Sequence, residues 1–284
     1  MTPARLPAAY TSTVEPLLDD LPSIFVGDEG RIPIYPLPLQ RVVRGLRDEL
    51  VLVHGPGGVG KSDLALNVAV GASARSHVLF VSLELSRKAI MRRLLPLLSA
   101  LPDYDERVDA AEFAAAGELP PERQRRVEQV VAQARRPCGS ISVIDDSYTP
   151  GDDSGRTVEE LRRAVRALRA GGEDVLVVVD YVQLMSLEAS SFTATDHIDK
   201  VSRGLASLAH TEQVPVVAIS AVGKDGSVRG SSMLQHDADI VIRMVEDEDD
   251  GEFRLVRLRF EKWREGVAGT CVRLTYAPAS HLFF

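Results

Sequence analysis

From Leu50 onward the apolar residues follow two alternating rhythms: short unbroken runs, then stretches in which they recur every three or four positions. An unbroken run predicts a strand buried on both faces of a parallel sheet, and the longer spacing predicts a helix with one face turned toward that sheet. The runs fall at residues 50–53, 77–83, 141–144, 175–180 and 216–220. Val175-Leu176-Val177-Val178-Val179-Asp180 is the most apolar, as expected of a central strand. Helices are predicted between the runs. One covers 63–70, and one follows the cap Ser86 through Ile90, Leu94 and Leu97, with Pro96 kinking or ending it. Another opens at Pro120-Pro121-Glu122 and carries Val127, Val130, Val131 and Ala134 on one face. A capping box of Thr157 and Glu160 starts a helix through Val158, Leu161, Val165 and Leu168, which Gly171-Gly172 stops. The last starts at Asp196, with Ile198, Val201, Leu205 and Leu208 inward. Residues 239–244, 253–261 and 271–276 read as later strands, the last pair antiparallel, with the acidic residues 246–250 as a solvated hairpin tip. Strand alternating with helix predicts an α/β fold, a mostly parallel central sheet flanked by helices with a C-terminal antiparallel extension. Residues 102–117, acidic and alanine-rich, fit neither rhythm.

Residues 1–46 break the pattern. Prolines at 3, 7, 16, 22, 33, 36 and 38 exclude any long helix, so a proline-rich arm is expected there, ahead of a domain at 47–284. Val14, Leu17, Leu18 and Leu21 could line a short amphipathic helix, packed either on the same subunit or on a neighbour.

Composition narrows the class. With 284 residues the chain can bury a sizeable core, and 45% hydrophobic with 26% charged residues is ordinary for a globular protein. No apolar run approaches a membrane span and the N-terminus lacks the apolar core of a signal peptide, so no membrane partner is expected and the cytoplasm is the expected location. A net charge of −8 argues against a surface that coats nucleic acid throughout and leaves room for a local basic channel. Cys138 and Cys271, far apart and outside any C-x-x-C setting, suggest two inert thiols.

The candidate chemistry lies where the first strand ends. Gly55, Gly60, Lys61 and Ser62 complete G-x-x-x-x-G-K-S between a strand and a helix. In that setting the backbone of Gly55, Pro56, Gly57, Gly58, Val59 and Gly60 curls so that its N–H groups, with the N-terminus of the helix through Asp63, hold a polyphosphate. A glycine-rich turn that binds nothing fits a lone G-x-G far better than this full motif. Lys61 is expected to reach the β- and γ-phosphates and Ser62 to ligate Mg²⁺. Asp180, ending the most apolar strand, supplies a carboxylate for the same ion. The loop from Gly223 to Gly230 follows the last parallel strand at the carboxyl edge, where ligands bind in such sheets.

With these pieces placed, residues 48–284 resemble the C-terminal motor domain of the DnaB-type replicative helicases, superfamily 4 enzymes with a RecA-like P-loop NTPase fold. Besides the phosphate loop, the resemblance rests on Phe80-Val81-Ser82-Leu83-Glu84-Leu85-Ser86, Asp180-Tyr181-Val182-Gln183-Leu184-Met185, Val201-Ser202-Arg203-Gly204-Leu205, Pro215-Val216-Val217-Ala218-Ile219-Ser220 and Gln235-His236-Asp237-Ala238-Asp239, in family order. It implies ATP as substrate with Mg²⁺, and Glu84 as the general base that activates the attacking water. Lys262 and Arg264, in Glu261-Lys262-Trp263-Arg264, match the family's K-x-R pair, which reaches the ATP site of the next subunit; the plainer alternative is a strand-end charge pair. It further implies a homo-oligomer, a hexameric ring around single-stranded DNA, with channel loops at 186–195 and 223–232. Lys224, Arg229, Gly230 and Ser231 are then the expected DNA contacts, with Phe192 the one aromatic in either loop.

Two departures qualify this. Ser220-Ala221-Val222-Gly223-Lys224 stands where the family has S-Q-L-N-R, so Ala221 replaces the glutamine that senses the γ-phosphate. The family's separate N-terminal domain has no counterpart in the sequence, and the arm is expected to replace only its ring-stabilising role. Three functions follow: an ATP-driven DNA helicase or translocase working with replication or mobile-element proteins; a RadA- or KaiC-like regulatory or recombination-mediator ATPase that switches a protein partner; and an ATP-binding assembly platform with weak hydrolysis. Stimulation of hydrolysis by single-stranded DNA separates the first from the others.

Overall fold

A nine-stranded sheet carries the site. Its strands are β1 (Leu50–Gly55), β2 (His77–Ser82), β3 (Ile141–Ile144), β4 (Val175–Asp180), β5 (Val216–Ala221), β6 (Ile240–Asp249), β7 (Arg254–Trp263), β8 (Cys271–Ala277) and β9 (Leu282–Phe283), in the order β3-β2-β4-β5-β1-β6-β7-β8-β9. Neighbours from β3 to β6 are parallel and from β6 to β9 antiparallel. The structure is a computed structural model that describes residues 30–101, 106–114, 120–134, 140–145, 157–186, 194–222, 232–249 and 251–284. Lys224, Arg229, Gly230, Ser231, Phe192, Cys138 and the amphipathic patch at 14–21 lie outside them.

Alternation along each buried strand divides the core in two. Val51 and Val53 face one side, where α1 (Leu37–Val43), α2 (Lys61–Ala72), α3 (Arg87–Ser99), α4 (Ala110–Ala114) and α5 (Pro121–Ala134) lie. Leu50 and Leu52 face the other, covered by α6 (Val158–Ala170) and α7 (Ala194–Glu212). Because β5 sits between β1 and β4, the carboxyl ends of all three open onto one edge.

Three local readings meet a different outcome. Pro96 neither ends nor breaks α3, which continues to Ser99. A proline inside a helix costs roughly 3 kcal/mol, and burying Leu94, Leu97 and Leu98 returns roughly 1.5–3 kcal/mol each, so burial wins. The acidic residues Glu246 to Asp249 are not a turn but the end of β6. Arginines across the ladder hold them there: Arg257 to Asp247 at 2.6 Å and Arg254 to Asp249 at 3.1 Å. Arginines of α6 also reach α7. Arg162 and Arg166 pair with Glu212 at 3.0 and 2.8 Å, and Arg169 donates to the Glu212 carbonyl, so three cations close the C-terminal end of α7. Finally, the compact unit spans Ile32–Phe284 rather than beginning at 47. Ile32, Ile34, Leu39, Val43 and Leu46 are buried in the core, and the chain at Tyr35 crosses α2 at Gly71, where a Cβ would meet the Tyr35 nitrogen at 2.4 Å. Met233–Asp237 forms a further short helix, α8.

Candidate nucleotide site

The parallel strands end around a cavity of about 620 Å³. Gly57, Gly58 and Gly60 line it from the loop after β1, Lys61 and Ser62 from the start of α2, Glu84 from just beyond β2, and Asp180 from the end of β4. Ala221 and Val222, at the end of β5, lie between these groups. Residues distant in sequence thus meet because parallel strands present all their carboxyl ends at one edge.

Lys61 donates to the Gly55 and Pro56 carbonyls at 2.9 and 2.8 Å. Burial pulls its ammonium below the ordinary lysine value, while the carboxylates of Asp180 and Glu84 push it back up. Asp180 is 1% exposed. Burial pushes its carboxyl up to about 6; the Glu84 charge adds to the rise, and a hydrogen bond from Ser62 with the charges of Arg93 and Lys61 opposes it. Its Oδ2 is buried and accepts no hydrogen bond among the described residues. An unmatched carboxylate oxygen beside a serine hydroxyl suits Mg²⁺, which takes one or two protein oxygens and leaves its other positions to phosphate and water. Among the described residues no group of three or more His, Cys, Asp or Glu forms a self-sufficient metal cage.

Asp63 turns inward. Its carboxylate accepts from Arg93 Nη1 at 2.9 Å, from the Tyr276 hydroxyl, and from His281 Nδ1 at 3.1 Å. Burial pushes its pKa up, but the hydrogen bond and charge of His281, the Arg93 charge and the Tyr276 hydroxyl outweigh it and leave the group below the usual range. The residue after the phosphate-loop serine therefore ties α2 to α3 and to the last strands. Arg93, Tyr276 and His281 line the cavity, and sequence reasoning did not find them. Partners 213 and 218 positions away leave no local signal. Arg254, on β7, also reaches the loop and donates to the Gly58 carbonyl at 3.1 Å.

Lys262 and Arg264 do not line their own chain's cavity. Lys262 Nζ donates to the Gln235 and His236 carbonyls at 3.2 and 2.5 Å, at the end of α8. Burial lowers its pKa, the Arg264 charge lowers it further, and Asp239 and Asp237 oppose both. Arg264 Nε lies 3.0 Å from Asp239 Oδ1, and its guanidinium remains about half exposed.

The family model of the DnaB-like helicase C-terminal domain matches residues 37–284. The replicative DNA helicase DnaB of Haemophilus influenzae is 30% identical over 257 residues, covering 84% of this chain and 52% of that protein. The chain thus spans about half the length of the curated relatives it matches. Among solved structures, an isolated ATPase domain superposes with a TM-score of 0.78 at 21% identity, covering 96% of this chain and 98% of that one. A DnaB-like replicative helicase, solved for its interactions with primase, gives 0.77 at 22% identity, covering 96% of this chain and 66% of that one. At such identity the likeness is one of fold.

Proposed function

The chain belongs to the family of DnaB-like helicase C-terminal domains, and from that premise we propose that it is an ATP-driven motor that assembles as a ring, hexameric in our reading, and moves on single-stranded DNA in the cytoplasm. The observation that supports this most is the convergence of Lys61, Ser62, Glu84 and the unmatched oxygen of Asp180 on one cavity while Lys262 and Arg264 stand outside it. Half a hydrolytic site faces the cavity, and two cations stand outside it, Lys262 on the Gln235 and His236 carbonyls and Arg264 on Asp239 with its guanidinium about half exposed.

In this reading the loop N–H groups and Lys61 hold the triphosphate, the ammonium exchanging its two loop carbonyls for phosphate oxygens. Ser62 and Asp180 would hold Mg²⁺, which would supply positive charge against the phosphates. Glu84 takes the proton of the attacking water. Lys262 and Arg264 serve the adjoining subunit's site, where a cation donated in trans can contribute on the order of 10³–10⁵ in rate. Lys224, Arg229, Gly230 and Ser231 contact DNA phosphates without reading sequence. Replication or mobile-element proteins are the expected partners. A second reading, a regulatory ATPase in which turnover is uncoupled from DNA, draws on Ala221. This methyl group lines the cavity where the family carries an amide, so β5 has no side chain to report the γ-phosphate to the loop that follows it.

The test is ATP hydrolysis with and without single-stranded DNA, beside mass in solution, for the wild type, Lys61→Ala, Glu84→Gln and Arg264→Ala. Motor function predicts DNA stimulation, loss of turnover in all three variants, and retained nucleotide binding in Arg264→Ala. Unchanged turnover in Arg264→Ala refutes the action in trans. Turnover indifferent to DNA in a fully active ring favours the regulatory reading.

A further inference from the structure

His54 follows Leu50-Val51-Leu52-Val53 on β1, at the entry to the phosphate loop, and is 1% exposed. Its partner in register on β6 is Arg243. Its Nε2 lies 2.9 Å from Glu261 Oε2 on β7, while Arg243 Nη1 lies 3.7 Å from Glu261 Oε1. An ionised carboxylate only accepts, so Nε2 carries the hydrogen and Nδ1 keeps a bare lone pair. That Nδ1 is buried and has no hydrogen-bond partner among the described residues. A valine or leucine would fill this position with no unmatched atom, so what the imidazole adds is one directed bond to Glu261.

Glu261 itself sits at an irregularity. The β6–β7 ladder pairs Ile242 with Phe260 and Val241 with Lys262, leaving Glu261 as the extra residue of a bulge. Lys262, Trp263 and Arg264 follow at once. A slip of one residue in a strand turns every later side chain to the opposite face, so whatever holds the bulge decides where those cations point. His54 holds one oxygen of the extra residue and Arg243 faces the other. The row also starts on close-packed ground: at Gly55, next to His54, a Cβ would meet the Met244 carbonyl oxygen at 2.7 Å, so β1 and β6 lie too close there to admit a side chain without rearrangement.

We propose that His54 and Glu261 are positioning residues that lock the β7 bulge to the phosphate-loop strand and so set the placement of Lys262 and Arg264 toward the nucleotide site of the adjoining subunit. This rests on the reading that those cations act in trans. The nucleotide-holding strand of one subunit then governs the reach of that subunit's cations into the next.

Glu261→Ala and His54→Leu, in the full chain, test it by kinetics and subunit mixing. Both should lower kcat about tenfold or more while leaving the KM for ATP within about twofold, because the defect lies in what the subunit donates and not in how it binds. His54→Leu fills the apolar strand without an unmatched atom, so it should unfold at no lower denaturant concentration than the wild type. Full turnover in a stable His54→Leu protein overturns the proposal, whatever becomes of Glu261→Ala. Mixing then separates donor from acceptor. Excess Lys61→Ala subunits have a dead site and intact cations; corrected for their effect on the wild type, they should restore turnover to the variants, as to Arg264→Ala. Rescue of Arg264→Ala without rescue of His54→Leu overturns the positioning role alone. No rescue of Arg264→Ala overturns action in trans, and this proposal with it.

Discussion

Asp180→Asn should make the ligand-free protein more stable while abolishing its turnover. Burial raises the Asp180 carboxyl from 3.8 to about 6, a gap of about two units, and each unit corresponds to about 1.4 kcal/mol, so the ionised group costs the folded state roughly 3 kcal/mol near neutral pH. The sign follows from where the proton sits. A carboxyl with a raised folded pKa stays protonated in the folded chain after the unfolded chain has released its proton. Stability from this group is therefore fully present below about pH 4 and is lost as pH rises through about 6. Asparagine has no such loss. Chemical unfolding of the two proteins, in chelator and without nucleotide, should show the variant ahead by about 3 kcal/mol near pH 7 and by only about 1 kcal/mol near pH 4.5. Comparing the two at each pH cancels the titrations of groups that the Asp180 charge does not reach. MgATP should stabilise the wild type and narrow the gap, since the ion removes the penalty that the variant lacks. A variant less stable than the wild type near pH 7, or a gap that does not change with pH, would refute the claim that Asp180 is held in an unfavourable ionised state.

Other perturbations probe the frame around the site. Gly71→Ala gains about 1 kcal/mol of helix propensity but forces a Cβ against the Tyr35 nitrogen at 2.4 Å, so a net loss of about 2 kcal/mol in denaturant melts is expected; a stabilised variant would mean that the segment at 32–36 is not pinned. Thr157→Ala removes the hydroxyl that accepts from the Glu160 nitrogen at 3.2 Å and should cost about 1 kcal/mol by the same measurement.

The helices and parallel strands were legible because their signals are local. Thr157 and Glu160 lie three residues apart and form the capping box that their spacing predicts. The phosphate loop, its helix and the strand ending in Asp180 were legible in the same way, each being a contiguous run with its own period. Pro96 and the acids at the end of β6 were misread for the opposite reason. In each case a weak local preference was overruled by partners elsewhere: buried leucines for the first, Arg254 and Arg257 for the second.

By itself the sequence determined which residues are chemically able to hold a triphosphate and its ion, and in which order strands and helices carry them. Only the tertiary structure decided what those residues face. Asp63 meets Arg93, Tyr276 and His281, the arm's second half joins the core, and His54 meets Glu261 207 positions away. A motif is written in neighbours along the chain, whereas burial and charge pairing depend on neighbours in space. Sheet order and the crossing of the chain at Gly71 create those, and no period in the sequence encodes them.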